Sequence, residues 1–242
     1  MNKLVSSEFI KGKGLLTRIV PILIPTVASL LAIALMAGSF VQINSFNWWY
    51  VFLAPVAISL ICANVIEPDR KLEWHNIDVL PYKKGSTWDA KIIVGLCLLL
   101  AANIALLLIT TIAGLVYGQL YSVITGFLSI MILVISFAWM LPAGMFLTSR
   151  FGSGACFVVL LVLGFGGSLQ PIAGGNLWFL PMALPARLMA AMLGVNPNGI
   201  MLEANSPLAD MSVILPGLFI SAVTFFVTYL FTRIWFAKKG GE

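Results

Sequence analysis

The chain has 242 residues, of which 60% are hydrophobic and only 10% charged, and its mean hydropathy is +1.03. A soluble domain carries about 25% charged residues, so this composition excludes an ordinary soluble fold, a disordered chain and a coiled coil. The net charge of +5 is too sparse a signal for a nucleic-acid binder, and three scattered cysteines, Cys62, Cys97 and Cys156, make no disulfide framework.

Charged residues are costly in hydrocarbon, so their positions divide the chain. Lys3, Glu8, Lys11, Lys13 and Arg18 open it. In residues 1–18 they interleave with Leu4, Val5, Phe9, Ile10 and Leu16. That pattern predicts an amphipathic helix on the inner leaflet with its basic groups near lipid phosphates, or simply basic flanking charge. Ile19 to Ile66 then carries no charge and is long enough for two spans of about 20 residues each. The polar stretch Gln42–Asn47 reads as the turn between spans at Ile19–Val41 and Trp48–Ile66. The first apolar run is too long for a signal peptide and lacks a small-residue cleavage site, so it reads as an uncleaved span.

A dense charge block occupies residues 67–91. Within it Trp74, Ile77 and Leu80 recur every three residues, which predicts a short amphipathic helix over Lys71–Leu80 ended by Pro81. Such a loop is a docking surface for another protein or a solvated connector. Ser86–Asp89 reads as a capping box opening the next span. Residues 92–148 hold two more spans, Ile92–Val116 and Val123–Thr148, and a fifth fits Gly154–Gln170. Residues 171–211 are too apolar for a free loop. There Pro185 and Gly194 bracket a short helix, Asn196–Gly199 is a tight turn, and the segment reads as short helices dipping into the outer leaflet or an external lid. A sixth span fits Ser212–Trp235.

Six spans with both termini cytoplasmic place every one of the 14 lysines and arginines except Arg187 on the inner side, as the positive-inside rule requires. The fold expectation is therefore an all-α polytopic membrane protein of one transmembrane domain. Pro21, Pro25, Pro55 and Pro142 are expected to kink their helices, and small residues such as Gly164, Gly166 and Gly167 to allow close helix approach.

Sequence chemistry narrows the function. A single histidine, His75, cannot build a His-Glu-x-x-His metal site, the cysteines fall in three different spans, and neither a Gly-x-Ser-x-Gly elbow nor a Walker loop is present. Enzyme chemistry and ATP hydrolysis are not expected in this chain. A membrane bundle with a docking-type loop and no energy source of its own fits a permease driven by a separate ATPase.

The chain resembles permease subunits of type-2 ABC exporters, specifically the lantibiotic self-immunity permeases. The resemblance rests on Glu8-Phe9-Ile10-Lys11, on the charged loop from Glu67, and on Leu80-Pro81 followed by Trp88-Asp89-Ala90-Lys91. It extends to Trp178-Phe179-Leu180-Pro181 through Arg187 to Gly194-Val195-Asn196-Pro197-Asn198-Gly199. The resemblance implies a bacterial plasma-membrane protein with an N-terminal interfacial helix around Glu8, Phe9, Lys11 and Lys13. It implies a coupling helix between spans 2 and 3 whose Glu67, Leu72, Trp74, Ile77 and Leu80 touch an ATPase, and re-entrant helices between spans 5 and 6. The implied partners are two ATP-binding subunits that bring ATP and magnesium, a second permease like or unlike this one, and a lantibiotic drawn from the membrane lipid. Other readings are an exporter of another peptide, drug or lipid, a non-transporting membrane interaction protein, and an intramembrane enzyme.

Overall fold

The structure, a computed structural model, describes residues 2–11, 15–35, 38, 40–78, 81–203 and 205–238. Every long element in it is a helix. In chain order these are α1 (Asn2–Lys11), α2 (Leu15–Leu35), α3 (Val41–Trp48), α4 (Ala54–Arg70), α5 (His75–Asp78) and α6 (Lys84–Tyr117). They are followed by α7 (Val123–Phe137), α8 (Met140–Phe151), α9 (Ser153–Gly167), α10 (Gln170–Ala173), α11 (Leu184–Leu193) and α12 (Ile214–Lys238). Among the described residues the only β pairing is the isolated Val195–Met201 bridge.

Among the described residues, three helical stretches are long and apolar enough to cross a membrane: Val41–Arg70, Lys84–Tyr117 and Met211–Lys238. A fourth appears if α7 and α8, bent by 41° at their junction, count as one crossing. Pro142 explains that bend, because it cannot donate to the Ala138 carbonyl and its ring pushes that carbonyl away. The apolar stretches Ile19–Leu35 and Ser153–Gly167 are shorter. α6 has 34 residues, so it is about 51 Å long and outreaches a hydrocarbon core of about 30 Å.

Several boundaries differ from the expectations. The polar stretch Gln42–Asn47 is not a turn; it lies inside α3, which follows Gly38, whose φ is +107°. Its polar side chains are satisfied from within the bundle. Gln42 Oε1 accepts from the Leu120 and Tyr121 amides at 2.9 and 3.4 Å, and Asn47 Nδ2 donates to the Tyr50 hydroxyl at 2.7 Å and the Pro197 carbonyl at 3.0 Å. A π-helical turn, Trp49–Leu53, joins α3 to α4, widening the helix just before Pro55, which has no amide to donate. Pro21 and Pro25, by contrast, sit inside a continuous α2. α6 starts at Lys84 behind Lys83, which makes no side-chain cap, so Ser86–Asp89 is not a capping box. α9 ends at Gly167, before the expected limit at Gln170.

The helices run to and fro between two ends. One end gathers α1, the 67–91 segment, the α8–α9 junction and the last turns of α12. The other gathers the α2–α3 turn, the α6–α7 loop and residues 168–211. The core between them includes Trp49, Tyr50, Phe46, Trp88 and Phe137, each all but inaccessible. α11 behaves as expected from its brackets. Pro185 occupies its first turn, Gly194 closes it in the left-handed region at φ +68°, and Leu184 through Ala191 are buried. Gly167 packs directly on the Met182 backbone, where any side chain would collide, whereas Gly166 faces open space.

Candidate functional site at the charged end

Three helices meet on a buried ion cluster. Lys91, on the first turns of α6, and Asp69, near the end of α4, are both 0% exposed, and Glu8 on α1 is 5% exposed. Lys91 Nζ donates to Glu8 Oε2 at 2.6 Å, to the Val65 carbonyl at 3.1 Å and to Asp69 Oδ2, which uses all three ammonium protons. Lys11 Nζ bridges the same carboxylates, at 2.7 Å from Glu8 Oε1 and 3.1 Å from Asp69 Oδ1. Two carboxylates thus face two ammonium groups. Burial pulls the Lys11 pKa down, but the hydrogen bond and charge of Glu8, with Asp69, outweigh it and raise the pKa above the ordinary lysine value.

The geometry explains why α1 holds its place. Leu4, Glu8 and Lys11 recur at helical spacing and turn toward α4 and α6, while Phe9 and Ile10 are exposed. Lys11, one of the α1 bases expected near lipid phosphates, has two protein carboxylates within hydrogen-bond reach.

A second ionic contact ties α6 to α12. Arg233 grips Asp89 with two bonds, Nε to Oδ1 at 2.7 Å and Nη2 to Oδ2 at 3.1 Å, and the Tyr229 hydroxyl donates to Asp89 Oδ1 at 2.6 Å. A third ties α4 to α9. Glu67 Oε1 accepts from the Ser153 amide at 3.2 Å and from Arg70 Nη1 at 3.3 Å, so it caps the first turn of α9.

The loop between α4 and α6 differs from the helix expected over Lys71–Leu80. Lys71–Trp74 is a turn, with Glu73 and Trp74 at φ +50° and +67°, and helix forms only over the single turn of α5. The left-handed pair follows from the end of α4: the Trp74 amide reaches back to the Asp69 carbonyl at 3.0 Å and closes the helix, as C-terminal caps do. The reversal swings Trp74 against Phe236 of α12, edge to face at 5.3 Å, and Phe236 in turn stacks on Trp88 at 4.8 Å. Ile77 is buried in the hydrophobic core.

Of the residues assigned to ATPase docking, Leu72 is 56% exposed, Trp74 is half-buried, Ile77 is buried and Glu67 is turned to α9. Leu80 lies outside the described residues. Of those assigned to the interfacial helix, Glu8 and Lys11 join the ion cluster, Phe9 is exposed and Lys13 lies outside the described residues. Asp69, Lys91, Asp89, Arg233 and Phe236 were assigned to no site in advance. For Asp69, Lys91 and Asp89 the available signal is the density of opposite charges in 67–91, more than a solvated connector needs. Among the described residues, no group of three or more His, Cys, Asp and Glu side chains is placed to hold a metal ion.

Comparison with known proteins found no matching family model, curated protein or solved structure.

Proposed function

We propose that this chain is the membrane-spanning permease subunit of an ABC exporter that protects its host against a lantibiotic, using ATP hydrolysed by a separate subunit. In this reading α2, α3–α4, α6, α7–α8, α9 and α12 are the six crossings, both termini are cytoplasmic, and the charged end faces the cytoplasm. Two ATP-binding subunits dock there, and a second permease, like or unlike this one, completes the pore.

The observation that carries the reading is the mechanical wiring of the 67–78 segment. Its outer rim, Leu72, Glu73 and His75, is exposed, while Trp74 on its inner side is seated on Phe236 of α12 and Ile77 is buried in the core. Asp69, at its root, is clamped to α1 and α6. A partner pressing on the rim would move α4, α6, α12 and α1 together, as an energy-coupling element has to. The apolar composition and the long apolar helices agree with a membrane protein.

The test is co-purification of the tagged chain with an ATP-binding subunit from the same host. Leu72→Asp leaves the inner layer untouched and is expected to abolish the complex while membrane level and thermal stability stay at the parent value. An unaltered complex in that variant contradicts the docking role. Ile77→Asp is not a clean probe, because it puts a carboxylate in the buried core and is expected to destabilise the fold itself.

A further inference from the structure

Two adjoining clefts open at the end opposite the charged one. The first, about 440 Å³, is walled by Trp48, Phe52, Phe165 and Leu169. Phe52 stacks on Phe165 at 5.0 Å and Trp48 leans on Phe52 at 5.6 Å, so the wall is a preformed aromatic surface. The second, about 580 Å³, is walled mainly by polar groups, among them Asn196, Asn205, Ser206 and Glu203. Gln170 and Asn198 line both, so the two clefts share a wall. Each falls in the size range of ligand pockets, about 300 to 1,000 Å³.

The chemistry of the walls selects the occupant. The apolar half takes an aromatic or branched aliphatic group. The polar half offers side-chain amides, which both donate and accept and so match a peptide backbone, together with one carboxylate. Among the described residues no lysine or arginine lines either cleft, so a phospholipid phosphate would find no cation there. Arg187, the one base at this end among the described residues, is already committed to the Leu208 and Pro207 carbonyls, at 2.8 and 3.3 Å. Asp210 is a second carboxylate at this end, and its pKa is lowered by hydrogen bonds from the Ser212 hydroxyl and amide. The field over the clefts therefore favours cations.

We infer that the two clefts form one two-part site for a cationic amphipathic peptide, with an apolar side chain among Trp48, Phe52 and Phe165 and a basic group at Glu203. This names the substrate contact of the permease reading, and rests on it for the assignment of this end to the outside. The floor of the site is pre-set. Asn47 is held by Tyr50 and by Pro197, so the turn that carries Asn198 is pinned to α3 before any ligand arrives.

The test uses the full chain in phosphatidylcholine nanodiscs and a fluorescent synthetic peptide of alternating leucine and lysine, read by anisotropy. The parent protein is expected to bind it saturably. Phe165→Ala is expected to weaken binding about tenfold, through lost apolar contact. Glu203→Gln, at an exposed position, is expected to weaken it about fivefold, as an exposed ion pair allows, and to leave binding of a peptide with glutamine in place of lysine unchanged. Binding that is the same in the parent and both variants overturns the inference, because the peptide is then only partitioning into the bilayer. A co-purifying phospholipid that Leu169→Trp expels, with peptide binding unaffected, overturns it too and makes the cleft a lipid site. Assembly with the ATP-binding subunit, measured on the same samples, separates the two claims. Intact assembly without specific peptide binding removes this site and leaves the permease reading standing; specific binding without any assembly does the reverse.

Discussion

Replacing Lys91 with methionine removes the central cation of the α1–α4–α6 cluster while keeping a chain of similar length. Lys91 is 0% exposed and its ammonium serves Glu8 at 2.6 Å, the Val65 carbonyl at 3.1 Å and Asp69. In the variant two buried carboxylates lose the ammonium that both of them contact. Breaking a buried pair from one side costs about 3–5 kcal/mol, whereas replacing both partners by apolar groups is often near neutral. Lys91→Met is therefore expected to lose about 3–5 kcal/mol, and Lys91→Met/Asp69→Leu to lose less than the single variant. Reversible unfolding in mixed micelles, followed by tryptophan fluorescence, measures both. The single variant should also release α1 and expose Lys11 to trypsin. A single variant within about 0.5 kcal/mol of the parent would refute the reasoning, as would a double variant whose loss equals the sum of the two single losses.

Three further predictions follow from other contacts. Gly167→Ala is expected to lower the melting temperature sharply or prevent folding, because its methyl group would strike the Met182 backbone, while Gly166→Ala, facing open space, is expected to melt like the parent. Asp89→Asn is expected to cost about 1 kcal/mol, since Arg233 is 39% exposed and solvent screens the pair, and Asp89→Asn/Arg233→Gln should cost no more than the single change in the same unfolding assay. In a cysteine-free background, a cysteine at Asn198 is expected to react with an impermeant maleimide on intact cells and one at Lys71 only after permeabilisation. The opposite pattern would invert the proposed orientation.

The sequence reading and the structure part company where a side chain's partner is far away in the chain. Charge-free runs and helix punctuation are local signals, so α11 between Pro185 and Gly194 and the turn at Asn196–Gly199 were readable, and both are present. Gln42–Asn47 misled because polarity marks a turn only when water is the partner. Here the partners are the Leu120 and Tyr121 amides and the Pro197 carbonyl, more than 70 residues on. The three-residue spacing of Trp74, Ile77 and Leu80 implied one helix over Lys71–Leu80, but the end of α4 reverses the chain at Glu73 and Trp74 and turns Trp74 onto Phe236 of the last helix, a partner that periodicity does not reveal. Lys91 read as a flanking charge outside the membrane. Its burial depends on Glu8 and Asp69 arriving from two other helices, which no window along the chain reveals.

The central claim is that this membrane bundle moves a peptide with energy supplied by another chain, and export itself tests it. Cells expressing the chain with an ATP-binding subunit that co-purifies with it, and with any second permease in that complex, are loaded with a lantibiotic, and its release into the medium is followed with and without metabolic energy. The account predicts energy-dependent release that disappears with Leu72→Asp or with an ATPase-dead partner. Release that is the same without the chain, or protection that persists with no peptide leaving the cells, would contradict it.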